Sequence, residues 1–325
     1  MAKKIAVMTT GGDACGMNAA IRAVVRTAIS CGMEVYGVEE GLHGLLNDKF
    51  IPMDLSSVGG IINRGGTILK TVRSKEFHDR RTRNAAYRNL ENRKIDGLIS
   101  IGGDGSRKGI YTITRETGIS SVFIPASIDN DVYGTDITIG FDTAVNVALD
   151  AVDKIRDTAA SHERIFIVEV MGREHGFLAL EVGLTGGAEI ILIPELKKEL
   201  EIKKMAAVLN SGIKRGKKSS IIIMAEGVGP SQEMAEKIEK ATGMETRLTV
   251  LGYIQRGGTP TAYSRKLGLV FGHDAVMIME GLKRGESRMV GISLGTVKVH
   301  NLKDVVNRQK KIDMKLYNMN SVLAL

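Results

Sequence analysis

The sequence contains no tryptophan, and aromatic residues make up only 4% of its 325 residues. A core without large rings has to be built from Ile, Val, Leu, Ala and Met. There is also no aromatic-interleaved basic strand of the kind that stacks single-stranded bases. Cysteine is almost absent: Cys15 and Cys31 are the only two, which excludes a disulfide framework and a cysteine-based metal site. The six histidines show no metal-ligand spacing. No apolar run is long enough to span a bilayer, and the run Ile5 to Met8 is too short for a signal peptide. Together these absences predict a protein of the reducing cytoplasm.

What is present is ordinary globular material, 43% hydrophobic and 25% charged. The length exceeds what one core organises, so two domains or lobes are expected. The formal net charge of +8 favours anionic partners. The basic residues are scattered, however, and the densest runs, Lys214 to Lys218 and Arg308 to Lys311, are short. Phosphorylated small molecules fit this pattern better than nucleic acid.

Short β-branched runs alternate with longer amphipathic ones. Strands are expected at Ile5–Thr9, Glu34–Val38, Ile95–Ile101, Val122–Pro125, Arg164–Val170, Glu189–Ile193, Ser220–Met224 and Thr246–Leu251. Helices are expected at Asn18–Ile29, Arg81–Arg93, Ser106–Thr117, Asp142–Ala160, Phe177–Leu184, Lys198–Arg215, Gln232–Thr242 and Tyr263–Leu282. The alternation predicts an α/β fold of mainly parallel sheets with helices on both faces. Such sheets bind ligands beyond the carboxyl ends of their strands. Many of the 38 glycines cluster at those ends, which argues for tight turns rather than flexible linkers.

Three of the turns carry chemistry. After the strand at Ile99, Gly102 to Gly105 deliver two glycines and Asp104 to the start of a helix. Glycines admit phosphates close to the backbone, and the helix start offers free N–H groups. An aspartate there can hold Mg²⁺ on those phosphates, or can simply cap the turn. The first turn, Gly11 to Asp13, has the same shape. It is neither a dinucleotide fingerprint nor a P-loop, because no Gly-Lys-Ser/Thr follows. The third is Ser127 to Asp131, where Asp129 and Asp131 flank Asn130. A hydroxyl nucleophile needs a base within hydrogen-bond reach. Asp129 can be that base, with Asp131 binding metal or orienting it. Arg73, Arg164, Arg173, Arg247 and Arg256 lie near strand ends or glycines, where guanidinium forks suit phosphate oxygens. These residues point to phosphoryl transfer on a small phosphorylated metabolite. Another Gly-Gly-Asp-Gly kinase, acting on NAD or a lipid, and a non-catalytic phosphometabolite-binding regulatory subunit are the alternatives.

The chain also carries Gly11 to Ala14 with Gly16 to Arg22, Asn63 to Thr67, Ile101 to Ser106, Ile128 to Asp131, Gly134 to Asp136, Thr138 to Phe141, Val168 to Arg173, and Leu251 to Gly252 with Ile254 to Gly258. In this order they resemble the bacterial ATP-dependent 6-phosphofructokinases over most of the chain. The resemblance implies two α/β lobes with the active site in the cleft between them. Residues 1–138 with about 251–300 would bind nucleotide, and 139–250 with about 301–325 the sugar phosphate. It implies transfer of the ATP γ-phosphoryl group to the 1-hydroxyl of fructose 6-phosphate, with Mg²⁺, as a glycolytic step.

By the same resemblance Asp129 is the base, assisted by Ser127, with Asp131 nearby. Gly12, Arg73 and Arg173 stabilise the transferring group. Ser74, Arg83, Gly103, Asp104, Gly105, Ser106 and Gly109 lie at ATP, with Asp104 on the metal. Met171, Gly172, Glu226, Tyr253 and Arg256 hold the sugar phosphate. Arg164 and Arg247 reach in from a neighbouring subunit of a homotetramer. Arg22, Arg26, Arg156, Glu189, Arg215 and Lys217 form an effector site for ADP or phosphoenolpyruvate. A pyrophosphate-using branch carries an Asp and a Lys where this chain has Gly105 and Ala126, so the chain resembles the ATP type. Departures from the pattern are Cys15 for Pro, Ser127 for Thr and Tyr253 for His. Leu42, Ser74, His78, Arg107 and Lys108 near the nucleotide also depart from it. Leu55 and Gly60 replace an Arg and an Asp of the effector site, which predicts weakened effector response.

Overall fold

The computed structural model describes residues 3–72, 74–162 and 164–324. The chain divides into two compact units, Met1–Thr143 with Arg256–Lys310 and Ala144–Gln255 with Lys311–Leu325.

The first unit opens with β1 (Lys4–Thr10), α1 (Met17–Ser30), β2 (Glu34–Val38), α2 (Gly41–Leu46) and β3 (Phe50–Met53). It continues through α3 (Arg80–Asn92), β4 (Gly97–Gly102), α4 (Asp104–Thr117), β5 (Ser120–Ser127) and β6 (Ile139–Gly140). Helix α5 (Phe141–His162) then leads into the second unit, which holds β7 (Ile165–Val170), α6 (Phe177–Thr185), β8 (Ile190–Leu192) and α7 (Ile202–Lys214). It is completed by β9 (Ser220–Ala225), α8 (Ser231–Thr242) and β10 (Thr246–Val250). The chain returns to the first unit for α9 (Ala262–Gly281), β11 (Ser287–Ser293), β12 (Thr296–Asn301) and α10 (Leu302–Val305), and ends in the second with α11 (Met314–Leu323).

The larger sheet runs β12-β11-β5-β4-β1-β2-β3, with β6 beside β5. Its centre is parallel: Thr10 pairs with Gly102, and Gly102 with Pro125. That register sets the carboxyl ends of β1, β4 and β5 side by side. Both edges are antiparallel, β3 against β2 and β12 against β11, so the sheet is mainly parallel, as expected, with the antiparallel pairs confined to its edges. Pro52 in β3 is tolerated because an edge strand needs fewer ladder donors. One face of the sheet carries an apolar cluster that includes Met8, Leu98, Ile110, Phe123 and Leu302. On α9, a Cβ at Gly272 would lie 2.6 Å from the carbonyl of Ala20 in α1. Glycine there lets the two helix backbones approach.

The second unit's sheet, β10-β7-β9-β8, is fully parallel. Its core gathers Ile165, Ile167, Met205, Leu209, Ile222 and Ile238. The helix expected over Lys198–Arg215 is broken. A 3-10 turn covers Pro194–Glu199, Leu200 and Glu201 are extended, and α7 begins at Ile202. Leu200 and Ile202 both pack on the core, whereas a continuous helix would point residues two apart in divergent directions. Ile95 likewise lies before its strand, buried at the approach to β4.

Candidate active site

Three strand ends of the first unit carry the site. At the first, Gly11 turns with φ +85°, and a Cβ there would lie 3.2 Å from Oγ of Ser106. Thr71 Oγ1 donates to the Gly11 carbonyl at 2.6 Å, drawing the segment after Lys70 onto this turn. Cys15 is buried here, with its Sγ 3.3 Å from the carbonyl oxygens of Arg256, Gly257 and Gly258. Burial pushes its thiol pKa up, so it serves as a neutral donor where the resemblance has proline. Arg256 itself lies against Gly12: its Nη1 is 2.8 Å from where a Cβ would stand, and 3.9 Å from Oδ1 of Asp13. The Arg256 Nε is buried without a hydrogen-bond partner among the described residues.

At the second strand end, Gly103 is extended and caps α4, whose first residue is Asp104. A Cβ on Gly103 would come within 3.7 Å of Ser127, so β4 and β5 end against one another. Gly105 faces open space, and Gly109 faces Leu42 at 3.2 Å. Both oxygens of Asp104 are engaged. Arg107 Nη2 donates to Oδ1, and Lys108 Nζ sits 3.0 Å from Oδ2. Among the described residues no group of three or more His, Cys, Asp or Glu could hold a metal ion. As it stands, Asp104 does not fit a resident divalent ion.

The third end is the turn after β5. Ser127 Oγ accepts from the Asp129 backbone N–H at 3.1 Å. Asn130 adopts φ +52°, a left-handed conformation that asparagine tolerates better than most residues. Its Oδ1 accepts from the Thr138 N–H at 3.0 Å, its Nδ2 donates to the Asp136 carbonyl at 3.1 Å, and Thr138 Oγ1 donates to the Ser127 carbonyl at 2.5 Å. The Asx turn read from the sequence is therefore a locked one, and Asp129 and Asp131 project from it half-buried. Lys310 Nζ donates to the Asp136 carbonyl at 2.7 Å. Burial pushes its pKa down to about 8, with Asp136 and Asp131 opposing.

Not every expected residue joins these turns. Arg73 lies outside the described residues. Ser74 has a buried hydroxyl with no hydrogen-bond partner among the described residues. Arg83 is committed elsewhere. Its Nη2 and Nε grip Glu116 at 2.7 and 3.0 Å, its Nε also reaches Tyr87, and its Nη1 holds the carbonyls of Phe77 and His78. Arg83 thus fastens α3 to α4 and to the 3-10 turn Glu76–His78. Sequence reading passed over Glu116 and Tyr87, which no local pattern marks. Arg22 is half-buried and Arg26 exposed, both on α1.

In the second unit, β7 and β9 end together. Gly172 has φ +136°, its carbonyl accepts from Gly227 at 3.1 Å, and a Cβ on Gly227 would overlap the Arg173 carbonyl. Met171, Gly172 and Glu226 are thereby neighbours, with the Arg173 side chain exposed. The Met171 N–H donates to Gln255 Oε1 at 3.3 Å. Tyr253 is 81% exposed. Arg164 and Arg247 meet on one carboxylate, Glu245, at the edge strand β10. Arg156 is held at the turn that precedes Glu189. Arg156 donates to the carbonyls of Gly186 and Gly187, and Glu189 pairs with Lys217 at 2.5 Å. Arg215 caps α7 and donates to Ser211 Oγ at 3.0 Å.

Residues 4–279 match the phosphofructokinase family model. The chain belongs to the phosphofructokinase family. It is 50% identical to ATP-dependent 6-phosphofructokinase 1 of Thermus thermophilus, over 99% of this chain and all of that protein. An ATP-dependent 6-phosphofructokinase of Bacillus pumilus is 49% identical with the same coverage. Among solved structures, the phosphofructokinase of Saccharomyces cerevisiae matches with a TM-score of 0.88 at 36% identity, covering 99% of this chain and 48% of that one. This chain therefore spans about half the length of the yeast chain. A pyrophosphate-dependent phosphofructokinase from Marinobacter aquaeolei shares the fold at 22% identity and a TM-score of 0.84. The family's two-lobed α/β fold of mainly parallel sheets is the one described above. No helix among the described residues is long and apolar enough to cross a membrane.

Proposed function

We propose that this chain is a glycolytic kinase that transfers the γ-phosphoryl group of ATP to the 1-hydroxyl of fructose 6-phosphate, giving fructose 1,6-bisphosphate and ADP. The observation that carries the reading is the register of β1, β4 and β5, which gathers Gly12, Gly103, Ser106, Ser127 and Asp129 at one edge. Full-length identity of 50% to a protein named for that activity supports it.

In this reading Asp129 accepts the proton of the 1-hydroxyl as its oxygen attacks the γ-phosphorus and the bond to the β-phosphate oxygen breaks. Ser127 and the Asn130 lock hold Asp129 on a rigid turn, so little ordering is left to the reaction itself. Asp131 stands beside the base. Backbone N–H groups near Gly12 and Gly103, and the start of α4, receive phosphate oxygens. Arg73 and Arg173 add charge where it develops. The open space at Gly105 and the small, buried Ala126 leave room for a nucleoside. A carboxylate and a lysine there would close it. Ser74, Ser106 and Gly109 line that nucleotide side, and Arg83 supports it from the α3–α4 corner.

Both Asp104 oxygens are engaged, so Mg²⁺ would be held mainly by the ATP phosphates, whose charge it would neutralise. Met171, Gly172, Glu226, Tyr253 and Arg256 receive the sugar phosphate, with Arg164 and Arg247 serving a neighbouring subunit of a homotetramer. Arg22, Arg26, Arg156, Glu189, Arg215 and Lys217 receive a phosphorylated effector. The setting is the cytoplasm. Incubation with ATP, Mg²⁺ and fructose 6-phosphate, followed by phosphorus NMR, should give fructose 1,6-bisphosphate and ADP in equal amounts. ADP without the sugar bisphosphate, or phosphorylation of NAD in its place, would overturn the reading.

A further inference from the structure

Among the described residues Arg107 is the largest fully buried side chain, at 1% exposure. It lies one turn along α4 from Asp104, and its guanidinium ties three points together. Nη1 donates to the Tyr133 carbonyl at 3.0 Å, and Nη2 donates both to the Arg308 carbonyl at 3.0 Å and to Asp104 Oδ1. Its Nε has no hydrogen-bond partner among the described residues. The two carbonyls are neutral, so they satisfy donors without cancelling charge. Among the described residues, Asp104 is the carboxylate paired with Arg107. A buried cation without a counter-ion is strongly unfavourable. The pair is therefore obligatory in one direction: Arg107 needs Asp104. Lys108, 58% exposed, takes the second oxygen.

This has a consequence for any cation that approaches Asp104. A divalent ion would have to displace or lie against a guanidinium that cannot swing into water, since its other donors are fixed on Tyr133 and Arg308. Like charges at such range in a partly buried setting oppose binding by more than a factor of ten. Mg²⁺ favours sites of one or two carboxylates completed by substrate phosphates and water. We propose that Arg107 is the resident counter-cation of Asp104, a positioning residue that keeps this carboxylate a poor metal ligand and leaves the divalent ion to enter only with the nucleotide. The proposal rests on the reading of Asp104 as the nucleotide-side carboxylate.

The test titrates Mn²⁺ into the nucleotide-free, full-length protein and follows the electron paramagnetic resonance signal of free Mn²⁺. Wild type should bind weakly. Arg107→Gln should bind at least ~10-fold more tightly, and Asp104→Asn added to it should abolish the gain. Arg107→Lys, which keeps the charge, should stay near wild type. Unchanged Mn²⁺ affinity in a folded Arg107→Gln protein would overturn the proposal. Should Arg107→Gln lack a cooperative unfolding transition, the exposed Lys108→Gln variant carries the test. It frees Oδ2 and should tighten Mn²⁺ by ~3-fold, and no change there is equally fatal. No step of the titration uses ATP or fructose 6-phosphate, so its outcome is independent of whether the catalytic reading stands.

Discussion

Nη1 of Arg256 lies 2.8 Å from the point where a Cβ on Gly12 would stand. Two residues far apart in the chain, one at the first strand end and one before α9, thus share a single space. The contact is with the far end of a flexible side chain, so Gly12→Ala should fold. The added methyl would nevertheless push Arg256 off the turn. The expected result is a fall in kcat/KM of ~10–100-fold with a thermal midpoint close to wild type, measured by steady-state kinetics and calorimetry. Wild-type kinetics in Gly12→Ala would remove the shared space from the mechanism.

Asp129 stands on a turn whose backbone is held by Ser127, Asn130 and Thr138. Replacing it by Ser removes the proton acceptor and leaves those holds in place. Asp129→Ser should lose at least ~10²-fold in kcat with a modest change in KM. Near-normal turnover would take the role of base away from Asp129.

Arg83 holds the carboxyl of Glu116 down to about 2, well under its ordinary value near 4.5. A lowered carboxylate pKa contributes stability that is complete above the unfolded value and is lost as pH falls toward the folded one. Glu116→Gln should therefore be less stable than wild type at neutral pH, and the gap should shrink between about pH 4.5 and 2. Thermal melts across that range read it directly. A gap that does not change with pH would show that the ion pair is not its source. Burial and the same carboxylate push Tyr87 up to about 12, so Tyr87 stays a neutral donor throughout.

Much of this was legible in the sequence. The strands and helices of both units follow from alternating apolar runs. The three glycine and aspartate turns were legible because each follows a buried strand, and parallel neighbours must end together. The edges were less legible: β3 is four residues long, β12 is largely exposed and lacks a buried apolar run, and which strands they pair with is not marked in their own residues. The burial of Arg107 was hidden for the same reason. An arginine on an amphipathic helix reads as solvated, and the carbonyls of Tyr133 and Arg308, which together with Asp104 receive its buried guanidinium, lie far away in the sequence. Arg83 matched a nucleotide position by motif, yet Glu116 and Tyr87, which hold its guanidinium, carry no motif at all. Asn130 was readable as a turn residue, but its lock on Thr138 was not.

Leu55 is 49% exposed and Gly60, at φ +64°, faces open space. An Arg and an Asp at these positions would restore charge to the proposed effector site, and Asp is among the residues that tolerate positive φ. The double variant Leu55→Arg, Gly60→Asp should be inhibited by phosphoenolpyruvate at lower concentration than wild type. Equal inhibition curves would mean that the two neutral residues do not weaken the response.

The central claim is that the three gathered strand ends of the first unit serve ATP-dependent phosphorylation of fructose 6-phosphate. A donor panel of ATP, GTP and pyrophosphate, each with fructose 6-phosphate and Mg²⁺, tests it most directly. The account predicts rapid formation of fructose 1,6-bisphosphate with ATP and none above background with pyrophosphate, because Gly105 and Ala126 leave the nucleoside its room. Turnover with pyrophosphate that matches or exceeds turnover with ATP would contradict it.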